Sequence, residues 1–252
     1  MKRLVVFLYG VVSYAAFLAS LLYAVAFLGN MVPGSIDSAA DGPVWQALAI
    51  DGGLLALFAL QHSIMARQWF KRAWTRIIPE AAERSTYVLL SSLLLLLLFR
   101  EWRPIGGVIW DSEGTIGEVI LSCTYVAGLL IVLLSTFMIN HFDLFGMRQV
   151  WLYLNDRPYT PLTFGTPYFY RFVRHPLYVG WLLTFWSAPV MTSAHLFFAA
   201  MTTAYILIAI QFEEADLVAM HGDKYRLYRK QVPMIVPSMP REKKDAKVAV
   251  AG

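Results

Sequence analysis

One cysteine, Cys123, in 252 residues leaves no disulfide framework and no cysteine-based zinc site within a single chain. It lies inside an apolar run and reads as a small buried hydrophobe. Charge is scarce too: only 15% of the residues are Asp, Glu, Lys or Arg, well below the share a soluble domain carries. Five histidines occur with no HExxH spacing, so no zinc-protease helix is encoded. His62, His141 and Asp143 remain free to converge, but no metal site is demanded. Nothing in the pattern calls for a nucleic acid partner.

What the chain has is hydrophobic length, with 58% of residues apolar or aromatic. Runs able to cross a bilayer extend from Leu4 to Leu28, Val44 to Met65, Thr86 to Phe99 and Ile116 to Ile139, the third being short unless its Ser/Thr flank contributes. Met1-Lys2-Arg3 and the first run imitate a signal peptide, but no Ala-x-Ala site follows, so the run reads as a retained helix. Two further runs, Leu177 to Val190 and Ala194 to Phe212, are separated by only Met191-Thr192-Ser193 and must form an antiparallel hairpin. The expected class is an all-α integral membrane protein, a multi-span helical bundle of four spans plus that hairpin. Three regions follow: a scaffold over 1–139, a catalytic region over 140–237, and a disordered tail over 238–252.

Positive charge sets the expected orientation. With the N-terminus inside, every Lys and Arg of the 21 falls on inside segments except Arg100 and Arg103. The chain is therefore expected in the inner membrane with both termini cytoplasmic. The link from Asn140 to Arg174, dense in Tyr, Trp and Pro, then lies at the cytoplasmic interface, where such rings are favoured.

Two polar clusters border the hairpin. Pro176 suits a first helical turn, where a missing N–H costs nothing, so Arg174 and His175 stand at a helix entrance able to hold a carboxylate. The bland alternative is interfacial snorkelling. Glu213, Glu214 and Asp216 follow the last apolar run, where acids oppose the helix dipole unless the helix continues or a cation meets them. Neighbouring carboxylates diverge by about 100°, so one of Glu213 and Glu214 is expected to face inward and the other solvent. Downstream, Tyr225 and Tyr228 share a face, with Arg226, Arg229 and Lys230 on a cationic side. That helix reads either as a lipid-bound interfacial helix or as the closure of a pocket.

Arg174-His175-Pro176-Leu177-Tyr178, the hairpin, Glu213-Glu214-Ala215-Asp216-Leu217, and Gly222 through Tyr225 and Tyr228 to Val232-Pro233 and Pro237 resemble the C-terminal signature of the isoprenylcysteine carboxyl methyltransferase and phospholipid methyltransferase group. Tyr9-Gly10, Gly29-Asn30 with Ile36-Asp37, Gln61-His62-Ser63-Ile64-Met65-Ala66-Arg67, Glu83-Arg84-Ser85-Thr86-Tyr87 and Asn140-His141-Phe142-Asp143-Leu144-Phe145-Gly146 are similar to the bacterial methanethiol S-methyltransferases. NnrU-like membrane proteins share the Gln61-His62-Ser63 neighbourhood. The resemblance implies methyl transfer from S-adenosyl-L-methionine to a small volatile thiol, methanethiol or also hydrogen sulfide, giving dimethyl sulfide from the former. It implies cofactor contacts at Arg174, His175, Pro176, Tyr178, Gly180, Glu214, Tyr225 and Tyr228. Catalytic candidates are His175, Glu213, Glu214, Arg229, Asp143 and His141. His62, Trp181, Phe185 and Trp186 are candidates for the apolar thiol pocket, against plain helix packing for each ring. A lipid or prenylated thiol as substrate, and a non-enzymatic NnrU-like protein, are the alternatives. Membrane lipid and a second copy of the chain complete the expected partners.

Overall fold

A computed structural model describes residues 1–40 and 42–237; the tail expected over 238–252 lies outside the described residues. The helices are α1 (Lys2–Leu28), α2 (Val44–Ala66), α3 (Gln68–Trp74), α4 (Glu80–Glu101), α5 (Ile116–Ile139), α6 (His141–Leu144), α7 (Met147–Leu154), α8 (Pro176–Trp186), α9 (Ser193–His221) and α10 (Asp223–Gln231). Five of them, α1, α2, α4, α5 and α9, are long and apolar enough to cross a membrane. Many of their large apolar side chains, Leu22, Leu57, Val126 and Ile208 among them, face outward, as lipid-facing surfaces do. Cys123 is exposed on α5, which corrects its expected burial.

The third span is longer than its apolar run. α4 starts at Glu80, just after Pro79, and takes in Ser85 and Thr86, both buried. The Thr86 hydroxyl donates to Ala82 C=O and that of Ser92 to Val88 C=O, so hydroxyls inside the bundle are satisfied by their own helix. α9 also outruns its apolar stretch, continuing past Phe212 for nearly three turns.

α8 is shorter than the sequence suggests. Pro189 disfavours helical backbone at the residue before it, and the helix stops at Trp186. Val190–Thr192 then forms a strand, β2, pairing antiparallel with β1 (Val108–Asp111) in the α4–α5 connection. The all-α expectation is thereby corrected by one small two-stranded ladder. Eleven residues of helix rise roughly 16 Å, too little for a hydrocarbon core of about 30 Å. Residues 187–192, of which the last three are β2, complete the passage to the end of the bundle where β1 lies.

α8 packs along α5 at a close crossing. A Cβ added to Gly180 would lie 2.7 Å from Gly128 O, and one added to Gly128 would meet Thr184 Oγ1 at 2.6 Å. Small residues let membrane helices approach this closely. The main core, including Phe27, Phe99, Trp102, Phe185, Phe198 and Ile210, fills the space among α1, α4, α8 and α9.

Candidate functional site

The beginning of α8 and the later turns of α9 meet. Pro176 is the first residue of α8 and His175 its cap. Arg174 N–H donates to Pro233 C=O (2.9 Å) and His175 N–H to Met234 C=O (3.2 Å), so the segment after α10 is laid against them by main-chain bonds. Arg174 Nη1 adds bonds to the carbonyls of Arg229 (3.0 Å) and Val232 (2.6 Å). The Tyr228 hydroxyl donates to Tyr170 C=O.

Glu214 lies under this strap, 3% exposed. Its Oε1 accepts from Arg174 Nε (2.6 Å) and lies 3.1 Å from His175 Nε2, and its Oε2 is 3.1 Å from Arg229 Nε. A carboxylate taken out of water requires such partners, and removing one from a buried pair costs about 3–5 kcal/mol. Glu213 accepts from the Tyr178 hydroxyl (2.9 Å) and stands 3.9 Å from His175 Nδ1, its side chain 43% exposed. As expected, one glutamate, Glu214, faces inward, while Glu213 keeps much of its solvent exposure but is held by Tyr178. His175 and Tyr178, three residues apart, share a face of α8 that reaches both carboxylates. Asp216 instead pairs with Arg67 at 2.9 Å.

An aromatic group lies beside this centre. Phe164, from the long Asn140–Arg174 link, packs edge-on against Tyr225 and Tyr228, with ring centroids 5.7 and 5.6 Å away. Burial pushes the Tyr170, Tyr225 and Tyr228 phenols well above their ordinary range, so all three stay neutral near pH 7.

Other sequence candidates are placed elsewhere. His141 is stacked on Phe137 and bonded to the Tyr14 hydroxyl (2.7 Å) and Thr136 Oγ1 (2.8 Å). Asp143 accepts from Arg148 Nη1 (2.8 Å) and the Tyr159 hydroxyl (3.3 Å). Both fasten the segment after α5 and share no partner with Glu214, so the structure sets them apart from the cluster at the hairpin's end. Gly180 faces α5 and makes the helix crossing possible. Trp181 and Phe185 stack on each other at 5.5 Å, one turn apart, whereas Trp186 is half-exposed and donates to Thr203 Oγ1. Trp186 therefore departs from the pocket grouping. His62 is bonded to Tyr87 (2.7 Å) and Ser91 (3.2 Å), not to His141 or Asp143, and no metal-holding cluster occurs among the described residues.

Sequence reasoning passed over Tyr205, whose hydroxyl is 3.2 Å from Ser63 Oγ. With Leu55, Ala56, Phe58, Ala59, Met201 and Thr202 it lines a cavity of about 90 Å³ between α2 and α9. A Tyr inside an apolar run, two turns before an acidic pair, was the available signal.

Fold and site together define a polytopic helical membrane protein with a cluster of buried charges at one end of a helical hairpin, closed by its C-terminal strap. No family profile and no solved structure matches the chain. Curated relatives do. Methanethiol S-methyltransferase of Crocosphaera subtropica is 58% identical over 238 residues, 94% of this chain and 93% of that protein. That of Mycobacterium tuberculosis is 50% identical over 94% of this chain and 98% of its own length. Human nurim is 30% identical over 193 residues, 73% of each chain. The chain belongs to the methanethiol S-methyltransferase family.

Proposed function

We propose that the protein transfers a methyl group from S-adenosyl-L-methionine to methanethiol, producing dimethyl sulfide. The observation carrying this reading is identity of 45–58% with proteins of that name over about 94% of the chain. The positive-inside pattern of the loops supports an inner-membrane protein with cytoplasmic termini, and so a cytosolic methyl donor.

The residues at the hairpin's end fit such a donor. Glu214 is met by three nitrogen-bearing partners, Arg174, His175 and Arg229, more cationic capacity than one carboxylate needs. A ligand carboxylate completes that balance, held by Arg174 and Arg229 as guanidinium forks hold carboxylates. Glu213, half-exposed and oriented by Tyr178, accepts the ligand's ammonium. Phe164, Tyr225 and Tyr228 offer neutral ring faces to an adenine. Bound there, the donor supplies an electrophilic methyl on a sulfonium.

The rest of the reaction asks for exclusion of water. A cation and a thiolate become two neutral thioethers, so charge disappears on the way to the transition state and an apolar surround favours it. Trp181, Phe185 and the walls between α2 and α9 supply that surround. The space of about 90 Å³ between α2 and α9 is large enough for a thiol of two heavy atoms.

Calorimetric titration of the detergent-solubilised protein with S-adenosylmethionine, followed by headspace analysis after adding methanethiol, tests this. Micromolar binding and release of dimethyl sulfide are expected, and Glu214→Gln is expected to lose at least 100-fold in donor affinity. Absence of donor binding by the unaltered protein overturns the reading.

A further inference from the structure

Between α2 and α4 lies a hydrogen-bond chain that the donor site does not use. The Ser91 hydroxyl donates its one proton to Gln61 Oε1 (3.1 Å). Ser91 Oγ can then only accept from His62 Nδ1, 3.2 Å away. His62 Nδ1 therefore carries the ring's proton and Nε2 is the bare nitrogen. The Tyr87 hydroxyl, 2.7 Å from Nε2, must donate to it. That fixes the direction of every bond in the chain and leaves the Tyr87 oxygen with free lone pairs and no proton to give elsewhere.

The surroundings put this pair behind one wall of the small apolar space between α2 and α9. Phe58 stacks on His62 at 5.1 Å and, with Tyr205, forms a wall of the small apolar cavity. Tyr205 reaches Ser63, the residue after His62 on α2, at 3.2 Å, and α9 carries Glu213 about two turns beyond Tyr205. The relay thus stands behind the Phe58 wall of that space, with α9 leading from there to the donor end of the hairpin. The Arg84 guanidinium sits 5.0 Å from the centre of the Tyr87 ring, where it favours negative charge on Tyr87 and opposes a lasting positive charge on His62. The charged and titratable groups acting on the pair are Arg84 and Glu83 of α4, Glu213 and Tyr205 of α9 and Tyr178 of α8.

We propose that Tyr87 and His62 form the proton acceptor that turns the bound thiol into a thiolate, Tyr87 touching the substrate and His62 storing the proton. This rests on the methyl-transfer reading above. The thiol S–H bond breaks toward the Tyr87 oxygen as the Tyr87 proton passes to His62 Nε2. The sulfur's electron pair forms the new bond to the methyl carbon, and the old carbon–sulfur bond breaks with its pair left on the sulfonium sulfur. One proton remains on His62 as imidazolium and returns to solvent after the products leave. A simple thiol is almost entirely protonated at neutral pH, so the relay supplies what the donor site lacks.

The test compares unaltered protein with Tyr87→Phe and His62→Gln across pH 6.5 to 10, using S-adenosylmethionine and methanethiol, with calorimetric donor binding as the check on folding. At pH 7 both variants are expected to lose at least 100-fold in kcat with donor affinity unchanged, a general base being worth about 10²–10⁴. The deficit is expected to shrink about tenfold per pH unit as free thiolate replaces the relay. Separately, the infrared S–H stretch of methanethiol bound beside S-adenosylhomocysteine is expected at lower frequency in unaltered protein than in Tyr87→Phe. Rates within threefold of the unaltered protein at pH 7, a deficit constant across pH, or identical S–H bands overturn the relay alone. Unaltered protein that binds the donor but releases no dimethyl sulfide overturns the substrate reading, and the relay with it.

Discussion

Each end of the α8–α9 hairpin holds a buried histidine against a carboxylate, and the two pairs are built differently. At the strand end, Asp37 accepts from Asn30 Nδ2 (2.7 Å), from the Thr192 hydroxyl and from His195 Nδ1 (3.0 Å), while His195 Nε2 faces Phe185 C=O at 3.1 Å. Both ring nitrogens of His195 point at acceptors, and the ring is 1% exposed. Every polar atom there serves the fold, tying the first loop to the end of α8 and the start of α9. At the opposite end, Glu213 and Arg229 keep close to half of their side-chain surface open, and Glu214 has more cationic partners than it needs. The same residue pairing makes a clasp where it is saturated and sealed. It makes a site where it is oversupplied with charge and reachable.

The strongest way to break this contrast is Asp37→Ala. It leaves His195 buried without its counter-charge, and about 3–5 kcal/mol of stability is expected to go. The melting temperature falls while calorimetric affinity for S-adenosylmethionine stays within threefold. A variant that keeps its melting temperature but stops binding the donor would show that the strand end is also part of the site.

Arg229→Ala sharpens the contrast from the other side. Its guanidinium reaches Glu214 but is 45% exposed, so solvent screens the pair and Arg174 still holds the carboxylate. Donor affinity is expected to fall about 3–10-fold, close to 1 kcal/mol, with the melting temperature unchanged. The opposite outcome, lost stability with donor affinity intact, would make Arg229 a second clasp.

What the sequence disclosed follows from how local each signal is. The five long helices were legible because apolar runs of that length have few alternatives, and the start of α8 because Pro176 stands beside Arg174 and His175. The extent of α4 was hidden because Ser85 and Thr86 look like flank, although both are buried and the Thr86 hydroxyl turns back to its own helix. β2 was hidden because its partner lies about eighty residues upstream, and a three-residue strand in an apolar run has no period of its own. His141 and Asp143 drew attention as titratable residues at a span's end. Their partners Tyr14, Thr136 and Arg148 are ordinary residues in sequence, so nothing local distinguished a structural lock from a catalytic group. Tyr87 and His62 lie on different helices, and only their packing gives the relay its direction.

Acid separates the two ends by the pH at which each gives way. Burial holds His141, at the donor end of the bundle, below the ordinary imidazole value of 6.5. Between that value and its lower folded one, the unfolded chain binds a proton that the folded chain refuses. Stability therefore falls as pH drops through this window, by at most about 1.4 kcal/mol per pH unit. Burial would raise Asp37, but hydrogen bonding and charge from His195, with bonds from Thr192 and Asn30, outweigh it and hold the carboxyl below its usual 3.8. Its contribution is complete above the unfolded value and is lost only as pH falls through the folded one. Melting temperatures recorded from pH 7 down to pH 3 are expected to decline in two steps. His141→Gln removes the upper step and Asp37→Asn the lower. If Asp37→Asn erased the upper step as well, the two ends of the bundle would titrate as one unit and not separately.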